Sequence, residues 1–141
     1  MLILDTHIWV WWNQNDPKLN TQQRNAIEVA RTQGIGICTI SLVEIARLTQ
    51  RGRVILPKPI DEWFNIALVQ QGTILISITP EIAIDAASLP GNFHKDPADR
   101  LIVATARSYN CPLITADQEI LAAIELSFDL TFLVQSLQRT H

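Results

Sequence analysis

His94-Lys95-Asp96-Pro97-Ala98-Asp99-Arg100-Leu101-Ile102-Val103-Ala104-Thr105-Ala106 is the stretch whose reading decides the fold. Asp96 before Pro97 reads as an N-cap followed by the first helical residue, because the carboxylate can accept from a free backbone N–H and proline needs none in a first turn. From Leu101 to Ala106 the small and aliphatic residues predict a largely buried helix. Its first turn carries Asp96 and Asp99, three positions apart and therefore neighbours. Capping at the positive end of a helix dipole explains both acids when they are taken alone. The positions of the other acids point further.

Outward from this helix, apolar runs alternate with helical patterns. Leu2-Ile3-Leu4 predicts a buried central strand, and Asp5 follows at its carboxyl end. Ile35 to Thr39, Ile74 to Ile78 and Cys111 to Thr115 read as three more strands, and Leu130 to Val134 as a weaker fifth. Between them, helical spacing covers Thr21 to Thr32, Ser41 to Arg51, Ile60 to Gln71, Thr79-Pro80 to Leu89 and Gln118 to Glu125. Ser41-Leu42-Val43-Glu44 has the form of a capping box, which by itself accounts for Glu44. Trp9, Trp11 and Trp12 cannot all point into one core, so at least one is expected in a groove that something else covers. Strands alternating with helices predict a parallel sheet covered on both faces, with ligands at the carboxyl ends of its strands.

The chain's 141 residues fit one domain, 1–141, with a tail at 135–141 that is expected to fray. Nearly half the residues are apolar and 18% are charged, a globular composition. No apolar run is long enough for a membrane span and the N-terminus lacks a basic signal region, so no membrane association and a cytoplasmic location are expected. Cys38 and Cys111 have no disulfide or metal-ligand pattern and are expected as buried thiols. A net charge of −3 argues against a broad basic nucleic-acid surface. Polyanion binding would then need metal ions or local clusters drawn from Arg47, Arg51, Arg53, Lys95 and Arg100.

The acids fall on one edge of the predicted sheet. Asp5 ends the first strand, Glu44 opens the helix after the second, Asp96 and Asp99 open the helix feeding the fourth, and Asp117 follows that strand. Like charges held close repel, and a divalent cation relieves the repulsion. An all-oxygen set suits Mg²⁺ or Mn²⁺ and not zinc. Such an ion polarises phosphoryl oxygens and activates water, so phosphodiester hydrolysis is the natural use. There is no Gly-rich phosphate loop and no nucleophile triad. His7 has both a structural and a substrate-touching reading.

Leu4-Asp5-Thr6-His7, Ser41-Leu42-Val43-Glu44, Asp96-Pro97-Ala98-Asp99-Arg100-Leu101-Ile102-Val103-Ala104-Thr105-Ala106 and Leu113-Ile114-Thr115-Ala116-Asp117, in this order, resemble the successive signatures of PIN-domain nucleases, and more narrowly of VapC-type toxins of toxin-antitoxin pairs. The resemblance implies an α/β fold with a five-stranded parallel sheet in the order 3-2-1-4-5. It also implies Mg²⁺- or Mn²⁺-dependent endoribonuclease activity, a homodimer, and inhibition by a cognate antitoxin protein. Under it, Asp5 and Asp99 are direct metal ligands, and Glu44 and Asp117 complete an acidic quartet through ligand or water contacts. Thr115 supports the site, Thr6 is a weaker candidate for that role, and Asp96 is an auxiliary acid or a cap, with the cap favoured. A phosphoacceptor receiver lacks its acidic pair and late lysine here, and a haloacid-dehalogenase-like phosphatase would need an acid where His7 stands. The competing reading from another class is a catalytically silent PIN-like module that binds RNA or a protein partner.

Overall fold

A computed structural model of the chain describes residues 1–89, 96–117 and 120. Four strands, β1 (Leu2–Leu4), β2 (Ile35–Cys38), β3 (Thr73–Ile76) and β4 (Leu113–Ile114), form a parallel sheet in the order β3-β2-β1-β4. Six helices accompany them: α1 (Thr6–Asn13), α2 (Thr21–Ala30), α3 (Ile40–Gln50), α4 (Ile60–Ala67), α5 (Pro80–Ala87) and α6 (Pro97–Tyr109). The sheet therefore has four strands among the described residues, not five. Its order matches the first four places expected, and the segment 130–134, expected as the fifth strand, lies outside the described residues, as do most of 118–125 and the tail 135–141.

Alternation along the strands divides the core into two layers. Leu2, Leu4, Ile35, Ile37 and Ile114 face a cluster with Ile8, Trp9, Trp12, Ile27, Ile45 and Trp63 from α1 to α4. Ile3, Cys38, Ile76 and Leu113 face the opposite way, onto Ile102, Val103 and Ala106 of α6. Residues 102 to 106 of α6 are all buried, because α6 is sandwiched between the sheet and α5, where Ala104 meets Ile82 and Ala86. Arg107 joins the same two helices by donating from Nε to Asp85 at 2.8 Å. Arg100 is likewise structural: it donates to the Ala86 carbonyl at 2.8 Å, unlike the exposed Arg47, Arg51 and Arg53.

Helix boundaries follow local chemistry except where a distant partner intervenes. Asn20 and Gln23 form a reciprocal capping box on α2. Thr79 caps α5, and Asn110, in the left-handed region at φ 51°, ends α6. The expected box at Ser41 is absent. Helix α3 begins one residue earlier, after Thr39, with no side-chain cap, and the Ser41 hydroxyl meets the Thr6 hydroxyl instead. Helix α4 ends at Ala67, short of the expected Gln71. Of the two thiols only Cys38 is buried; Cys111 lies before β4, half-buried and donating to the Tyr109 carbonyl at 3.2 Å. Among the described residues no helix is long and apolar enough to cross a membrane.

Candidate active site

Because all four strands are parallel, their carboxyl ends share one edge; the segments leaving β1 and β4 carry Asp5 and Asp117, while α3 supplies Glu44 and the N-terminus of α6 supplies Asp96 and Asp99. Asp5 leaves β1 in extended conformation and caps α1, its Oδ1 accepting from the Ile8 N–H at 3.0 Å. Its Oδ2 accepts a short hydrogen bond from the Thr115 hydroxyl. Thr115, buried just past β4, accepts in turn from the Asp117 N–H at 3.0 Å, so one hydroxyl serves as both donor and acceptor. Asp117 Oδ1 accepts from the Ile120 N–H at 3.0 Å. The neighbouring strands β1 and β4 thus hold Asp5 and Asp117 through Thr115.

Asp96 is the cap that the sequence suggests, with Oδ1 accepting from Ala98 N at 2.9 Å and Asp99 N at 3.1 Å. Asp99 follows at the third helical position and is buried, 8% exposed. Glu44 lies on α3 beyond its first turn. With the capping box absent, it has no local capping role there. One carboxylate oxygen from each of Glu44, Asp96 and Asp99 can be chosen so that all three lie within 4.8 Å of one another. Capping has therefore not removed Asp96 from the cluster.

The electrostatics match this crowding. Burial pushes the Asp99 carboxyl up to about 8, and the neighbouring charges of Asp117, Asp96, Glu44 and Asp5 add to the rise. Burial also raises Asp5, to about 6, with hydrogen bonds from Thr115 and Ile8 and the nearby His7 opposing the rise and Asp117 adding to it. Asp99 thus senses every other acid of the predicted set. Without a cation, the site retains a proton near neutral pH. An all-carboxylate donor set whose charges cannot all coexist fits a hard divalent cation, which would favour the ionised forms.

The structure brings Glu44, Asp96 and Asp99 to ligand distance and puts Asp5 and Asp117 within electrostatic reach of Asp99. Thr115 donates to the Asp5 carboxylate. Thr6 is buried with its hydroxyl on Ser41 at 2.9 Å, a contact that joins α1 to α3 and so links the elements carrying Asp5 and Glu44. Sequence reasoning missed Ser41, whose only local signal was the capping-box pattern. Lys95 lies outside the described residues.

A profile of the family described as PIN domain matches residues 2–125. Ribonuclease VapC22 of Mycobacterium tuberculosis is 34% identical over 119 residues, covering 84% of this chain and 88% of that protein. In fold, the chain is similar to a toxin-antitoxin complex from Klebsiella pneumoniae (TM-score 0.57, 19% identity, 83% of this chain and 87% of that one). It is also similar to VapBC2 from Rickettsia felis bound to a DNA fragment from their promoter (TM-score 0.64, 18% identity, 86% of this chain and 92% of that one).

Proposed function

The chain belongs to the PIN-domain family, and from that premise we propose that it is a Mg²⁺- or Mn²⁺-dependent endoribonuclease, the toxin of a type II toxin-antitoxin pair. The reading is carried by Asp99, an acid raised to about 8 by burial and, after it, by the charges of four other carboxylates gathered at the carboxyl edge of a parallel sheet. Asp5, Glu44, Asp99 and Asp117 are the catalytic acids. Asp96, within ligand reach of Glu44 and Asp99, joins them as an auxiliary ligand while capping α6. When bound, a divalent ion supplies Lewis-acid polarisation of a phosphoryl oxygen and lowers the pKa of an attacking water.

The chain's own residues prepare that chemistry. Asp99 must lose its proton as the site fills, and Glu44 and Asp96 converge on the same space. Thr115 fixes the Asp5 carboxylate and, through the Asp117 N–H, the turn that carries Asp117. These contacts reduce the reorganisation needed when substrate arrives. The protein acts in the cytoplasm on RNA and is inhibited by a cognate antitoxin. It assembles as a homodimer, a reading supported by the exposed apolar side chains of Ile74 and Leu75 on β3, an end strand of the described sheet.

The test is cleavage of mixed cellular RNA by the purified chain with Mg²⁺ or Mn²⁺, with EDTA, and by Asp99→Asn protein prepared identically. Discrete fragments that vanish with chelator and with the substitution are expected. Equal behaviour of wild type and variant would remove the nuclease reading and leave a binding module.

A further inference from the structure

Helix α1 begins at the acidic site and carries an aromatic strip away from it. Asp5 caps the helix, and His7, the second helical residue, is exposed. Four positions on, and so on the same face, Trp11 is only half-buried, whereas Trp9 and Trp12 lie within the core. The His7 and Trp11 rings are 6.1 Å apart between centroids and tilted by 57°. Beyond them, the exposed Lys18 holds its Nζ 5.9 Å from the centre of the Trp11 ring. An acid, an imidazole, an indole and an ammonium therefore follow one another outward from the site.

We propose that His7 and Trp11 form a ledge on which a base of single-stranded RNA stacks beside the scissile phosphate, with Lys18 meeting a neighbouring phosphate. The proposal rests on the ribonuclease reading and deepens it. Single-stranded RNA is bound largely by stacking its bases on aromatic rings, histidine included, and by cations that follow its backbone. A chain with net charge −3 has no general attraction for a polyanion, so affinity beyond that of a bound cation must come from such local contacts. Packing alone explains Trp9, which is stacked on Phe64 and edge-on to Trp63. Trp11, on the same helix, packs against that core only in part and remains half-exposed next to a cation, one turn beyond the exposed His7.

The test uses the full chain and a fluorescein-labelled, unstructured RNA of about 12 nucleotides, within the usual site size for single-strand binders. In the Asp99→Asn background, Trp11→Leu should weaken binding measured by anisotropy roughly 5- to 150-fold, the loss of one aromatic-base stack. His7→Ala should weaken it in the same direction, and Trp11→Phe should restore most of the affinity. In the otherwise wild-type chain, Trp11→Leu should raise KM and leave kcat nearly unchanged, whereas distortion of Asp5 would lower kcat. If wild type cleaves RNA and Asp99→Asn does not, yet Trp11→Leu binds as tightly as its parent, the ledge is overturned and the nuclease reading stands. Intact RNA binding with weakened antitoxin inhibition would assign the strip to a protein partner and overturn the proposal equally. A loss that Phe does not restore also sinks it, and a wild-type chain that neither binds nor cleaves RNA removes both readings.

Discussion

The hydroxyls of Thr6 and Ser41, 35 residues apart in sequence, lie 2.9 Å from each other in the buried seam between α1 and α3. Each is the residue next to or near an acid-bearing position, so the pair sets the spacing of the elements that carry Asp5 and Glu44. Ser41→Ala leaves the Thr6 hydroxyl buried beside a methyl group and should cost about 1–3 kcal/mol. Denaturant unfolding of Ser41→Ala, Thr6→Val and the double variant checks this: the double should cost less than the sum of the singles. Strict additivity would mean that the hydroxyls do not depend on each other.

Stability of the metal-free protein should fall as pH rises from about 4 to about 8. Asp99 goes from an ordinary value of 3.8 to about 8 on folding, so the native state holds a proton that the unfolded chain has released. Stability from this group is fully present below the unfolded pKa and is lost as pH passes through the folded one, by on the order of a few kcal/mol. Asp99→Asn removes that loss and should be the more stable protein at pH 8 in EDTA. Adding Mg²⁺ or Mn²⁺ should reverse the ranking, because a cation stabilises the ionised wild-type cluster and binds less well to an amide. Thermal unfolding across pH, with and without cation, reads both effects; a flat wild-type profile in EDTA would contradict the buried, protonated Asp99.

Local signals carried much of this structure. The apolar run Leu2–Leu4 became β1 with the bounds read from sequence, and Asp96-Pro97 opened α6 as an N-cap should. The strand order β3-β2-β1-β4 came from the family resemblance, since periodicity says nothing about which strands are neighbours. The misreading at Ser41 has the same origin in reverse. A capping box is a local pattern, and a tertiary partner from α1 took the hydroxyl that the pattern assigns to the backbone. The sequence presents Asp96 as an auxiliary acid or a cap, with the cap favoured, but a carboxylate has enough acceptor capacity to cap a helix and still lie within ligand reach of Glu44 and Asp99.

Thr115→Val should move the acid limb of the pH–activity profile upward. The Thr115 hydrogen bond stabilises ionised Asp5 and opposes the burial that raises this acid to about 6, so its loss leaves Asp5 protonated to higher pH. The same change removes the acceptor of the Asp117 N–H and loosens a second acid of the set. The expected result is a lower kcat at pH 6 that recovers in part toward pH 8. Serine at this position should restore the wild-type profile, whereas an equal deficit at every pH would mean that the hydroxyl acts on folding and not on Asp5.

The two roles of Asp96 separate by comparing Asp96→Asn with Asp96→Ala. Asparagine keeps a side-chain oxygen for the N–H groups of Ala98 and Asp99, while alanine removes it, so only alanine should show the loss of a cap, about 1 kcal/mol within a range of roughly 0.5–2. Charge behaves differently, since both variants delete a carboxylate that lies with those of Glu44 and Asp99. Each should therefore bind Mn²⁺ more weakly than wild type by a similar factor, measured by calorimetry, and each should ease Asp99 back toward the ordinary carboxylate range because Asp96 is among the charges raising it. If Asp96→Asn keeps wild-type Mn²⁺ affinity, Asp96 serves α6 alone and the ion is held by the remaining acids. If both variants lose affinity while only Asp96→Ala loses stability, the helix cap and the metal ligand are one carboxylate.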